Sequence, residues 1–316
     1  MLNIKNLKTT FKVSNKTVTA VDDMSIQIPE QKTIGLVGES GSGKSVTALS
    51  IMKLLPPSAN CTGEIKWKGK NILDYSEKEM RCLRGSELGL IFQNPLSALN
   101  PVFTIGNQLI ETICLHQKID KVTARKEAIS LLTKVNIPDP DTRLHQYPHQ
   151  FSLGMCQRVM IALTLAMSPT LLIADEPSAS LDVTVQAQIM RLLKNLKSDY
   201  KMSVLLISHD LGLISENCDY IYVMYLGKIV EEGSPQQIFT SPLHPYTQAL
   251  INAIPNPNPD KQSTYIPLEG DIPSPLDIPK GCRFHTRCPK VMPECKTKCP
   301  KLKAHQNAKV ACFLYE

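Results

Sequence analysis

Eight residues, Gly38-Glu39-Ser40-Gly41-Ser42-Gly43-Lys44-Ser45, satisfy G-x-x-x-x-G-K-[ST] at every fixed position, and an apolar run, Thr33-Ile34-Gly35-Leu36-Val37, leads into them. Strand, glycine-rich turn and helix in that order make the setting in which backbone amides cradle phosphate oxygens. Gly38, Gly41 and Gly43, with Ser40 between them, let those amides turn inward without a Cβ in the way. Lys44 is placed to reach the β- and γ-phosphates, and the Ser45 hydroxyl to sit on Mg²⁺. A glycine-rich turn that binds nothing would not need the lysine and the hydroxyl as well. The expectation is a nucleoside triphosphate bound by an α/β fold.

A chain of 316 residues allows one large domain plus an appendage, or two domains. With 42% apolar and 20% charged residues its composition is that of an ordinary globular protein. The longest apolar stretch, Val159–Met167, falls far short of the ~20 residues that span a bilayer. The start, Met-Leu-Asn-Ile-Lys-Asn, lacks the apolar core of a signal peptide. The expected place is therefore the cytosol, with membrane attachment only through a partner. A net charge of +6 without a basic block reads as a solvated surface rather than a nucleic-acid site.

Of ten cysteines, Cys61, Cys82, Cys114, Cys156 and Cys218 are scattered among apolar segments and read as small core residues or incidental thiols. The other five, Cys282, Cys288, Cys295, Cys299 and Cys312, crowd the end of the chain. In a cytosolic protein such a cluster favours metal ligation over disulfides. No C-x-x-C pair is present, so spacing alone leaves Zn²⁺, an iron–sulfur cluster and reduced thiols all open.

β-rich segments open the chain around Leu2–Leu7, Thr17–Val21 and Ser25–Ile28. A helix is expected from Lys44 to about Leu55, stopped by Pro56-Pro57. Gly63–Lys68, Leu88–Phe92, Leu171–Ala174, Val204–Ile207 and Tyr220–Met224 read as strands, and 105–135, 140–168 and Val183–Ser198 as helical. Alternation of strands and helices predicts a parallel sheet covered on both faces. Prolines at 255, 257, 259, 267, 273, 275 and 279 predict an extended linker before a cysteine-bearing terminal module.

Three strand ends carry polar residues where an open α/β sheet binds its ligands. Leu171–Ala174 runs into Asp175 and Glu176, the first suited to the Mg²⁺ shell and the second to taking a proton from attacking water. Val204–Ile207 leads to His209, whose imidazole could bond the γ-phosphate. Leu88–Phe92 leads to Gln93.

Together these motifs resemble the nucleotide-binding subunit of an ATP-binding cassette (ABC) transporter. Phe151-Ser152-Leu153-Gly154-Met155 stands in place of the family's Leu-Ser-Gly-Gly-Gln signature, and Ser180-Leu181-Asp182 matches the loop after the acid pair. The resemblance spans about residues 1–254. It implies a P-loop NTPase core with an antiparallel β subdomain and a helical subdomain over about 95–168, followed by the proline-rich and cysteine-rich region at 255–316. It further implies ATP hydrolysis in a head-to-tail dimer. Glu176, His209 and Gln93 would be catalytic, and Ser45, Gln93 and Asp175 would meet Mg²⁺. Ser152, Gly154 and Asp182 would meet the partner's nucleotide, and Phe11 would stack on adenine. Leu153 and Met155 depart from the signature, and a leucine Cβ near a partner's γ-phosphate predicts a weakened composite site.

Gln93–Pro101, Leu181–Gln188 and Ser241–Thr247 are similar to the oligopeptide, dipeptide and nickel importer branch, and Gly154–Ile161 to the first of its two non-identical ATPase subunits. That likeness implies a second ATPase subunit as heterodimeric partner, two transmembrane permeases and an external solute-binding protein. The subunit would then lie peripherally on the cytoplasmic face of the inner membrane. It also implies a [4Fe–4S] cluster on Cys282, Cys288, Cys295 and Cys312, with Zn²⁺ as the alternative and Cys299 spare. Cargo stays open between peptide, nickel chelate and another small molecule. A cassette ATPase without permeases is the reading from another class, and a GTPase is disfavoured because no Asn/Thr-Lys-x-Asp guanine reader follows the acid pair.

Overall fold

Leu2, Ile4 and Leu7 are buried while Lys5 and Asn6 are exposed, so the first strand offers one apolar face to a core. The structure is a computed structural model describing residues 1–14, 16–254 and 270–316. Of the expected proline-rich linker, residues 255–269 lie outside the described residues. The chain divides into two units, Met1–Asp74 with Leu206–Glu316, and Tyr75–Leu205.

In the first unit, β1 (Leu2–Val13) and β2 (Lys16–Ile28) pair antiparallel, and β1 also pairs with β4 (Ala59–Trp67), which turns into the short β5 (Lys70–Asn71). The strand expected at Gly63–Lys68 thus begins four residues earlier. The separate segments expected at Thr17–Val21 and Ser25–Ile28 are one strand with a register shift near Asp23. Asp23 and Asn6 both sit at positive φ, and the Asn6 Nδ2 donates to Asp23 Oδ1 at 2.7 Å. That bulge, with its polar pair, is what interrupts the alternation in the sequence.

The same unit holds β3 (Thr33–Val37), buried along its whole length, and the helix Lys44–Met52. Strand β9 (Tyr220–Tyr225) lies parallel to β3, from Ile34 opposite Tyr220 to Val37 opposite Val223. Antiparallel β10 (Lys228–Gly233) follows, then β12 (Ala308–Val310) and β11 (Lys303–His305). The end of the chain therefore adds two strands to this sheet, and residues 270–316 group with the first unit rather than forming a third.

The second unit pairs β6 (Leu88–Ile91) and β7 (Leu171–Asp175) in parallel, Leu88 opposite Leu171. Helices Ile105–Gln117, Lys121–Lys134 and Leu153–Leu165 pack on one another, and Ile105, Leu109, Ile113, Leu131 and Val159 are buried. Each begins at a side-chain cap, respectively Thr104, Asp120 and Ser152; such a cap contributes about 1 kcal/mol. The amphipathic helix Val183–Asp199 follows β7, and β8 (Ser203–Ser208) carries the chain back into the first unit. Among the described residues no helix is long and apolar enough to cross a membrane.

Candidate nucleotide site

Strand β3 ends at Val37, and the phosphate loop turns at once into the helix Lys44–Met52. Two glycines are fixed by contact. A Cβ on Gly38 would overlap the Met224 carbonyl oxygen, and Gly43, at φ 106°, is pressed against the Ala20 carbonyl oxygen. Gly41 faces open space, where a phosphate can approach the backbone. The helix has no side-chain cap, so its first amides and the positive end of its dipole face the loop. The Ser42 hydroxyl is buried without a hydrogen-bond partner, a polar atom suited to a phosphate oxygen. Lys44 is buried, and its ammonium donates to the carbonyls of Gly38, at 2.7 Å, and Glu39, at 3.0 Å. Ser40 and Ser45 are exposed.

This loop is braced by the end of the chain. The Glu39 amide donates to the Tyr246 hydroxyl at 2.8 Å. The Glu39 carboxylate receives both arms of Arg287, Nη1 to Oε2 at 2.7 Å and Nη2 to Oε1 at 3.2 Å. Burial alone would lower the Arg287 pKa, but the Glu39 carboxylate and the Tyr225 hydroxyl outweigh it and hold the guanidinium above its usual range. Behind them Tyr225, Tyr246 and Phe284 form a buried aromatic cluster with centroids 4.7–5.4 Å apart. Four residues before Arg287, Arg283 bonds Asp22 and the Leu226 carbonyl, and the Gly227 amide donates to Ser42 O at 2.7 Å. Sequence reasoning missed Glu39, Tyr246 and Arg287. The available signal was the carboxylate of Glu39 itself, a charge conflict within an anion-binding loop that calls for a counter-cation.

In the second unit β7 delivers Asp175 and Glu176. Glu176 stands at φ 46°, a left-handed conformation costing about 1 kcal/mol or more, and the Gln93 Nε2 donates to its Oε2 at 2.9 Å. The amide nitrogen of Gln93 is thus turned to Glu176, so its oxygen is the end that can meet a cation. Carboxylate, amide oxygen and hydroxyl are the hard donors that Mg²⁺ takes, so the chemistry of Asp175, Gln93 and Ser45 fits that ion. A second group forms nearby in sequence. Ser152 Oγ accepts from the Met155 amide at 3.3 Å, and Asp182 Oδ1 from the Val185 amide at 3.0 Å, so both cap helices. A Cβ on Gly154 would come within 2.9 Å of the Val185 side chain, which places the signature glycine against the start of the Asp182-capped helix. Leu153 is the first helical residue and half-buried. His209 is exposed just beyond β8, and Phe11 is half-buried on β1 opposite Val18.

The metal centre expected at the tail cysteines finds no support in the structure. All are free thiols, and among the described residues no group of three or more His, Cys, Asp or Glu side chains could hold a metal ion. Cys282 is pushed up to about 12, by burial and then by neighbouring Cys295, Cys312 and Cys288. Burial also raises Cys288 and Cys312. Cys299 is exposed.

The family described as ABC transporter matches residues 21–179, and the one described as oligopeptide/dipeptide transporter, C-terminal region, matches 230–295. The oligopeptide transport ATP-binding protein AppD of Bacillus subtilis is 44% identical over 321 residues, covering 100% of this chain and 97% of its own. This chain belongs to the ABC transporter family. As an ABC ATPase it is also similar to Bacillus subtilis DppD, a dipeptide transport ATP-binding protein, at 46% identity over 93% of this chain and 88% of that one. Escherichia coli OppD, an oligopeptide transport ATP-binding protein, is 42% identical over 99% of this chain and 93% of its own. Among solved structures, the dimeric ATP-binding cassette MJ0796 bound to ADP and Pi superposes with TM-score 0.67 and 26% identity, over 74% of this chain and 99% of that one. Clostridium perfringens cbiO1, part of the transporter complex cbiONQ, gives TM-score 0.65 and 28% identity over 76% and 90%. The ABC cassette fold is thus established for this ATPase.

Proposed function

We propose that this ABC ATPase is the energy-coupling subunit of an importer of oligopeptides or dipeptides, held on the cytoplasmic face of the membrane by two permeases. It works with a second, non-identical ATPase subunit, and an external binding protein delivers the solute. One observation carries the reading. The whole chain, tail included, aligns with peptide-transport ATP-binding proteins while every fixed position of the phosphate loop is kept.

Each side chain has a role that its chemistry supports. The loop amides from Gly38 to Ser45, with Lys44, hold the β- and γ-phosphates, and Phe11 stacks on adenine. Mg²⁺, when bound, neutralises phosphate charge and polarises the γ-phosphorus, with Ser45, Asp175 and Gln93 as its donors. Glu176, oriented by Gln93, accepts the proton of the attacking water, and His209 steadies the γ-phosphate. Ser152, Gly154 and Asp182 serve the nucleotide of the partner subunit.

The test is Glu176→Gln in the complex assembled with its permeases. MgATP binding should persist while hydrolysis falls by about 100-fold or more, the range for loss of a general base, and peptide uptake should stop. Hydrolysis at the wild-type rate would remove Glu176 from the reaction. Uptake of nickel chelate but not peptide would replace the cargo.

A further inference from the structure

An acidic residue inside an anion-binding loop is a contradiction that the fold resolves from the far end of the chain. Glu39 is the second residue of the phosphate loop, and its carboxylate would repel a triphosphate if it stood alone. It does not. Arg287, 248 residues away in sequence, grips both its oxygens in a bidentate pair. The arginine side chain is 6% exposed and the glutamate 23%, so the pair is screened poorly by solvent. The backbone of the same residue is also held. The Glu39 amide bonds Tyr246, and the Glu39 carbonyl accepts from the Lys44 ammonium and from the Ser42 amide, the latter at 3.2 Å.

Arg287 is itself immobilised. Its amide donates to Phe284 O at 3.0 Å, and Phe284 is buried against Tyr225 and Tyr246. The tail and the phosphate loop therefore share one rigid patch within the first unit.

We propose that Arg287 is a positioning residue for nucleotide binding: by pairing with Glu39 it cancels the loop's one negative side chain and fixes the carbonyl that steers Lys44. Arg287 touches no phosphate in this role and acts only through Glu39. The inference rests on the reading of residues 38–45 as the ATP site and deepens it by adding the tail to that site.

The experiment measures equilibrium binding of MgATP to the purified full chain, beside a nucleotide-free unfolding midpoint. Arg287→Met leaves the Glu39 charge uncompensated and should weaken MgATP by on the order of tenfold, as expected for one unpaired charge beside a polyphosphate at moderate dielectric. Arg287→Lys keeps the charge without the fork and should fall between. The double variant Glu39→Gln/Arg287→Met removes both charges and should regain most of the affinity lost in the single variant. A merely structural arginine would lower the midpoint in both Met variants with no recovery of affinity in the second. Unchanged affinity in Arg287→Met, or no rescue in the double variant, overturns the proposal. Should Arg287→Met not fold, the Lys and double variants decide it by the same comparison. Failure of the wild-type chain to bind MgATP would instead overturn the ATP-site reading.

Discussion

His244 offers a stability test whose sign and size both come from its surroundings. The ring is 1% exposed and packs on Phe284 at 5.6 Å, and its Nδ1 accepts the Tyr246 amide at 3.0 Å, capping the helix Pro245–Asn252. Burial lowers its pKa to about 3, so it is neutral in the folded chain at every pH of interest. In the unfolded chain the imidazole titrates near ~6.5. A folded pKa below the unfolded one means that the imidazole's contribution is intact above about pH 6.5 and drains away as the pH falls toward the folded value. Between about pH 7.5 and about pH 5 the loss is roughly 2 kcal/mol, at ~1.4 kcal/mol per unit below the unfolded pKa. Glu231 accepts the His244 and Leu243 amides, and its pKa is raised by burial, so it adds stability as the pH falls. It is present in both proteins and cancels in the comparison. His244→Asn keeps a capping acceptor but cannot titrate. Denaturant unfolding of the two proteins at both pH values should show the wild-type chain losing about 2 kcal/mol more than the variant. Parallel pH profiles would mean that the ring is not held neutral in the folded state.

Gly38→Ala should abolish measurable MgATP binding, because its Cβ has no room against the Met224 carbonyl and the loop must move; calorimetric titration of the folded variant checks it. Retained affinity would show that the loop tolerates displacement. Leu153→Gly should raise the ATPase rate of the assembled complex by removing a side chain from the start of the signature helix. An unchanged or lower rate would count against a composite site weakened by Leu153.

What the sequence disclosed and what it hid differ by range. The phosphate loop, the Asp175–Glu176 strand end and the signature at Phe151–Met155 are short-range patterns, each written within about ten residues, and motif and spacing reveal them. The single long β2 was hidden because Asp22-Asp23 breaks its alternation, while the bulge that keeps the strand going depends on Asn6 across the sheet. β11 and β12 are three residues each, too short for any period, so the chain's end reads as a separate module although it is an edge of the sheet. The cysteine spacing suggested ligation, but among the described residues no cluster of three or more ligating side chains supports it, and that placement is a property of the tertiary structure. The Glu39–Arg287 pair had no local signal beyond an acid where an anion binds.

The bracing of residues 38–45 by residues 246–287 also orders events on the ribosome. Residues 38–45 leave the ribosome well before Tyr246, and Arg287 follows Glu39 by 248 residues. A nascent or prematurely terminated cassette would carry its phosphate loop without the support that holds it in shape. Full affinity for nucleotide would then be a property only of chains that extend through Arg287.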